Sequence, residues 1–120
     1  MKILICDDST MIRRQLTNMI FELGDFEILE ASNGSSAIDI YKENKPSLVF
    51  MDIIMPELDG IGAVNGIIAF DKMAKVVMLS SVGTKDNLSK ALKAGAVDFI
   101  QKPVEADVLE RTIDKYCREV

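Results

Sequence analysis

The chain contains no histidine and no tryptophan, and only two cysteines. Without histidine there is no Ser-His-Asp or Cys-His hydrolase, no His-ligated zinc and no phosphohistidine carried on this chain. Whatever chemistry it performs rests on carboxylates, hydroxyls and lysine. Cys6 and Cys117 sit near opposite ends of the sequence. They form neither a disulfide framework nor a CxxC site, so a reduced pair in a cytosolic compartment is the simpler expectation. Long apolar runs are also missing: no segment approaches the roughly 18–20 uninterrupted apolar residues of a membrane span. The N-terminal MKILICDD is stopped early by two carboxylates, too soon for a secretory signal. A cytoplasmic location is expected.

Basic side chains are in deficit, 14 against 19 acidic ones for a net charge of −5, which makes a nucleic-acid backbone a poor main partner. Hydrophobic content of 48% with 28% charged residues is ordinary globular composition. The length of 120 residues suits one domain, residues 1–120, that buries its own core without disulfides or metal.

Two patterns alternate along the chain. Short apolar runs at Ile3–Cys6, Leu48–Met51 and Val76–Leu79, with weaker ones at Phe26–Leu29 and Asp98–Ile100, suit strands covered on both faces. Between them lie helical stripes. Ile12, Leu16, Met19 and Leu23 mark the first, with Gly24 as its stop. Ala37, Ile38 and Tyr41 mark the second, which ends before Pro46. Leu88, Ala91 and Leu92 mark the fourth, with Thr84 as N-cap and Gly95 as stop; Leu109, Ile113, Tyr116 and Cys117 mark the last. The third, Gly60–Phe70, is the weakest because Gly62 and Gly66 each cost about 1 kcal/mol relative to alanine. It carries no charge and reads as a mostly buried helix, with an apolar contact surface as the alternative. Five β–α units imply an α/β fold, a doubly wound five-stranded parallel sheet with helices on both faces.

The polar residues fall at the strand ends: Asp7-Asp8 after the first run, Asp52 after the third, Ser80 after the fourth and Lys102 after the fifth. All carboxyl ends of a parallel sheet share one edge, so these groups converge on one crevice. The second strand is expected at a sheet edge and contributes no such group directly. Singly, each residue is as readily a turn former, a cap or a solvated charge. Together, clustered carboxylates about 4 Å apart repel by on the order of 4 kcal/mol per pair at an effective dielectric of 20. Lys102 and a hard divalent cation would compensate, and so few carboxylates suit Mg²⁺ better than calcium. Carboxylate, cation, hydroxyl and lysine outline a phosphoryl-transfer pocket in which an Asp acts as nucleophile.

The run from KILICDDS through MDIIMPELDG and VVMLSS to AGAVDFIQKP is similar, over its whole length, to the receiver domains of two-component response regulators, most of all the single-domain chemotaxis regulators. The resemblance implies a (βα)5 flavodoxin-like fold with strand order 2-1-3-4-5. It implies Asp52 as phosphoacceptor, with Mg²⁺ held by Asp8 directly, by Asp7 largely through water, by Asp52 and by the backbone carbonyl of Ile54. It implies Ser80 and Phe99 as the switch pair, Lys102 as the phosphate-binding lysine and Pro103 as the proline that commonly follows a cis peptide. The donor would be a histidine kinase. The output would be an altered surface on the fourth helix, fifth strand and fifth helix that binds a flagellar-motor or chemotaxis partner, with a phosphatase as a further partner. Catalysis would be limited to the chain's own phosphorylation and dephosphorylation.

Val104 stands where the family often has phenylalanine, and Ile54 and Val82 are apolar where polar side chains can orient an attacking water. A slow loss of phosphate is therefore expected. Arg13 and Arg14 are expected on the exposed side of the first helix, as a kinase-docking pair or a plain solvated face. The chain begins on its first strand and stops after its last helix, at Arg118-Glu119-Val120, which favours a free-standing module. Alternatives are a fragment of a multidomain transcriptional or enzymatic regulator, or a phosphorelay carrier. A haloacid-dehalogenase-type phosphohydrolase ranks low, because its nucleophile belongs in a DxD pattern on the first strand.

Overall fold

The computed structural model describes residues 1–55, 59–81 and 85–118. Five strands, β1 (Lys2–Cys6), β2 (Glu27–Ala31), β3 (Leu48–Asp52), β4 (Val76–Ser80) and β5 (Asp98–Gln101), alternate with helices α1 (Thr10–Leu23), α2 (Gly34–Asn44), α3 (Gly60–Phe70), α4 (Lys85–Ala94) and α5 (Ala106–Ile113). The strands are all parallel in the order β2-β1-β3-β4-β5, as the resemblance implies.

Every residue of β3 and β4 is buried, which is why these runs carry no alternation in sequence. Their side chains still sort by parity. Leu4, Cys6, Val49, Met51, Val76 and Met78 face one layer with Ala37, Tyr41, Ala63, Val64, Ile67 and Ala91 of α2, α3 and α4. Ile3, Ile5, Leu48, Phe50, Val77 and Leu79 face the other, with Leu16, Ile20, Leu109 and Ile113 of α1 and α5. Truncating a core side chain such as Phe50 to alanine costs about 3–5 kcal/mol.

Local chemistry sets the helix ends. The side chains of Ser9, Asn33 and Asp59 accept backbone N–H bonds from Ile12, Ser36 and Gly62 and so cap α1, α2 and α3. Gly95 follows α4 with φ of 117°, a left-handed value that glycine adopts without strain. Thr84, expected as the α4 cap, lies outside the described residues, as do Val82 and the final Glu119-Val120.

Several expectations shift. β2 runs from Glu27 to Ala31 rather than from Phe26 to Leu29, because pairing with β1 sets its register from Lys2 opposite Glu27 to Cys6 opposite Ala31. The uncharged α3 is a helix over the expected residues, with Ala63, Val64 and Ile67 buried. Its Gly66 faces α2, where a Cβ would come within 2.6 Å of Ile38 Cδ1, so the glycine that weakens the helix lets α2 pack close. On α4 only Ala91 is buried, and Leu88 and Leu92 remain partly exposed. The last stripe does not continue as an α-helix: Asp114–Arg118 winds as a π-helical turn, and the Tyr116 hydroxyl donates to Asp98 Oδ2 at 2.9 Å.

Candidate functional site

The carboxyl ends of β1, β3, β4 and β5 bring the anticipated residues to one edge. Asp7 and Asp52 are buried, 1% and 7% exposed, and Asp8 is exposed at the rim. One oxygen from each of the three carboxylates lies within 4.8 Å of the others, a set that can hold a divalent cation. Lys102 Nζ reaches in from the end of β5, 2.7 Å from Asp7 Oδ2 and 3.4 Å from Asp52 Oδ1. Its backbone N–H donates to the carbonyl of Ser80 at 2.8 Å, and its bond to Pro103 is cis. Ser80 is buried at the end of β4, one residue beyond Leu79, which pairs with Asp52 at the end of β3. Phe99, on β5, is partly buried against the layer that includes α3 and α4.

Burial and the neighbouring Asp7 charge raise the Asp52 carboxyl above its ordinary value, against the opposing charge and hydrogen bond of Lys102. Burial alone lowers the Lys102 ammonium; its hydrogen bond to Asp7 and the charges of Asp52 and Asp7 outweigh that and hold it above its usual value. Among the described side chains, Asp7, Asp8 and Asp52 face one ammonium, Lys102, while the nearby Arg13 is paired with Glu30, so the pocket is short of positive charge. A small hard cation taking oxygen ligands fits that deficit.

Four supports of this pocket went unassigned in the sequence: Arg13, strand β2, Ser9 and Gly60. Arg13 is not on the exposed face: its guanidinium donates to the Asp7 carbonyl at 2.6 Å and to Glu30 Oε1 at 3.0 Å. It ties α1 to the acidic turn and to β2, whereas Arg14 is exposed as expected. The edge strand β2 therefore does take part, through Glu30 and through the Ala31 carbonyl, which accepts from the Asp7 N–H at 3.1 Å. Asp7 Oδ1 also accepts from the Ser9 N–H at 2.9 Å, so the α1 cap residue helps to fix the carboxylate. Gly60 packs against the end of β3, where a Cβ would stand 2.0 Å from the Asp52 carbonyl oxygen. The DG pair carried that signal in sequence. Arg13 carried none, since its role depends on contacts with β2.

Cys6 lies behind the pocket with its thiol donating to the Asn33 carbonyl at 3.3 Å. Burial, then the Asp7 and Asp52 charges, push it up to about 12, so it stays protonated. Both cysteines are free; Cys6 ends β1 at the crevice, whereas Cys117 follows α5 near the opposite edge.

Residues 3–114 match the response regulator receiver domain. The chain belongs to the response regulator receiver family. It is 41% identical over 114 residues to the chemotaxis protein CheY of Bacillus subtilis, covering 95% of each chain. With CheY of Thermotoga maritima it shares 40% identity over 117 residues, 98% of each. The CheY chain in a CheX–CheY–BeF3–Mg²⁺ complex from Borrelia burgdorferi superposes with a TM-score of 0.89 at 36% identity, over 96% of this chain and 88% of that one. CheY-like receivers are signalling proteins, and this chain is one of their family. None of its described helices is long and apolar enough to cross a membrane.

Proposed function

We propose that this receiver is a phosphorylation-activated switch of the chemotaxis type, formed by residues 1–120 as one unit and working in the cytoplasm. The observation that carries the proposal is the triad of Asp7, Asp8 and Asp52 with Lys102 Nζ bonded into it at the carboxyl edge of the sheet. Asp52 accepts the phosphoryl group, since it ends the central strand β3 and is the buried carboxylate Lys102 neutralises less closely. Asp8, Asp7, Asp52 and the Ile54 carbonyl hold Mg²⁺, which supplies charge neutralisation for the phosphoryl oxygens. An Asp52 oxygen forms its bond to phosphorus as the P–N bond of a histidine kinase's phosphohistidine breaks. Lys102 and the Ser80 hydroxyl then hold phosphoryl oxygens.

Drawing Ser80 toward the phosphoryl group lets Phe99 turn inward, which remodels α4, β5 and α5 and shifts the population toward a partner-binding state. Leu88 and Leu92, exposed on α4, give that face an apolar contact area. Flagellar-motor or chemotaxis proteins are the targets; a relative found in complex with CheX supports binding of a further protein, and a phosphatase is the one proposed. Nucleic acid is no direct partner. Pro103 has a structural role, shaping the turn after Lys102. The second reading, a receiver fragment of a transcriptional regulator, draws support from the 35% identity to a probable transcriptional regulator of Porphyra purpurea, of which the match covers 47%.

The switch is tested by recording amide NMR spectra while beryllofluoride, a phosphoryl mimic, and Mg²⁺ are added. Shifts at Ser80, Phe99 and Lys102 that extend over α4, β5 and α5, and vanish in Asp52→Asn or with a chelator, are expected. Shifts confined to the immediate crevice would overturn the propagated switch.

A further inference from the structure

The edge of the sheet opposite Asp52 has its own character. The residues that precede β1, β3 and β4, together with the end of α2, the α3–β4 turn and the turn after α5, surround an open cavity of about 320 Å³. Lys45, Lys75, Met73 and Tyr41 line it. Segments 41–47 and 70–75 carry four of the chain's fourteen basic residues, Lys42, Lys45, Lys72 and Lys75, in a protein of net charge −5. All four are exposed and none forms an ion pair with a described carboxylate; Lys75 Nζ donates one hydrogen bond, to the Tyr116 carbonyl at 2.9 Å, which leaves its other protons for a ligand.

Apolar surface is exposed in the same place. Met73 is 83% and Phe70 45% exposed. The ammonium groups of Lys42 and Lys45 each lie 5.8 Å from the centre of the Phe70 ring. The C-termini of α2 and α3 account for some attraction of lysine to this edge, but not for an exposed phenylalanine and methionine beside a cavity. Two carboxylates share these segments. Glu43 is exposed, and Asp71 already accepts from the Tyr41 hydroxyl at 2.7 Å and from the Met73 N–H at 3.0 Å.

The geometry points to a second docking surface here, for an acidic polypeptide segment bearing an apolar side chain. Its carboxylates meet Lys45 and Lys75, and its apolar side chain rests on Phe70 and Met73. The surface lies across the full length of the strands from the carboxyl edge, so docking here leaves the crevice and the α4 face free. A partner can then be held whatever the state of Asp52, a consequence that rests on the switch proposed above.

The experiment titrates the ¹⁵N-labelled protein with the synthetic peptide acetyl-Glu-Glu-Asp-Phe-Glu-Glu-amide and follows amide shifts. Saturable shifts within residues 41–47 and 70–75 and at Tyr116 are expected, equal with and without beryllofluoride and Mg²⁺. A Lys45→Glu, Lys75→Glu variant, whose own amide spectrum reports its fold, should bind about tenfold more weakly. Replacing the peptide's phenylalanine by alanine should weaken binding several-fold. Absence of saturable shifts, shifts centred on another face, or affinity indifferent to the charge reversal would overturn the surface. Tighter binding of a six-nucleotide RNA at the same residues would overturn its acidic-peptide assignment. A failure of the Asp52 switch shows separately, as a missing beryllofluoride response at α4.

Discussion

Lys102 Nζ sits 2.7 Å from Asp7 Oδ2 and 3.4 Å from Asp52 Oδ1, so the pocket's one lysine is committed more closely to Asp7 than to the proposed phosphoacceptor. Asp52 is left as a buried carboxylate beside a second one, with its carboxyl raised by burial and by Asp7. That imbalance makes the apo pocket receptive to added positive charge, and it also costs stability.

Asp52→Asn should therefore stabilise the metal-free protein at pH 7, by about 1 kcal/mol or a few degrees in Tm. A raised folded-state value means that the folded protein holds a proton the unfolded chain has already released. Stability attributable to Asp52 is thus present at low pH and lost as pH rises from the ordinary carboxylate range through the raised value. Thermal melts in chelator should show the variant's advantage opening over that window and vanishing below it. Mg²⁺ should raise the Tm of the wild type more than that of the variant.

Arg13 and Arg14 are neighbours in sequence with different expected effects. Arg13→Ala removes the bonds to the Asp7 carbonyl and to Glu30, and should cost about 1–3 kcal/mol in urea unfolding. It should also weaken Mg²⁺ binding measured by calorimetry, because the acidic turn loses its anchor. Arg14→Ala should change stability by no more than about 0.5 kcal/mol. If Arg14→Ala alone slows phosphotransfer from a kinase, Arg14 is a docking residue; an unchanged rate removes that role.

Gly60→Ala places a methyl group against the Asp52 carbonyl, 2.0 Å away before any relaxation. The obstacle is backbone and has no rotamer in which to retreat. The substitution should cost about 2–4 kcal/mol and reduce phosphorylation of whatever fraction folds. Ala63→Gly, on the same helix, should cost only the helix-propensity penalty and the small loss of packing, about 1–2 kcal/mol, and leave the acceptor reaction intact.

Ile54 lies two residues beyond Asp52 and is 61% exposed. An apolar side chain there neither orients nor activates water, so the phosphorylated protein should lose phosphate slowly. Ile54→Asn should shorten its half-life several-fold in Mg²⁺ alone, followed by loss of the phosphorylated mass. A wild-type half-life of seconds would contradict that expectation.

Most of the architecture was legible because a parallel sheet writes itself as apolar runs ending in polar residues. Asp7, Asp52, Ser80 and Lys102 could be placed at one edge from that alone. Three features escaped. The β2 boundary depends on register with β1, which an edge strand of mixed polarity does not encode. Arg13 looked like a surface arginine because its partners, the Asp7 carbonyl and Glu30, come together only in the folded chain. The exposed lysine-rich edge around Phe70 also arises from segments 41–47 and 70–75, too far apart in sequence to read as a patch.

Whether Asp52 is the metal-dependent phosphoacceptor is decided by intact-protein mass spectrometry after incubation with acetyl phosphate and Mg²⁺, beside Asp52→Asn and a chelated sample. One added phosphoryl group is expected on the wild type and none on either control. Equal phosphorylation of Asp52→Asn would contradict that assignment.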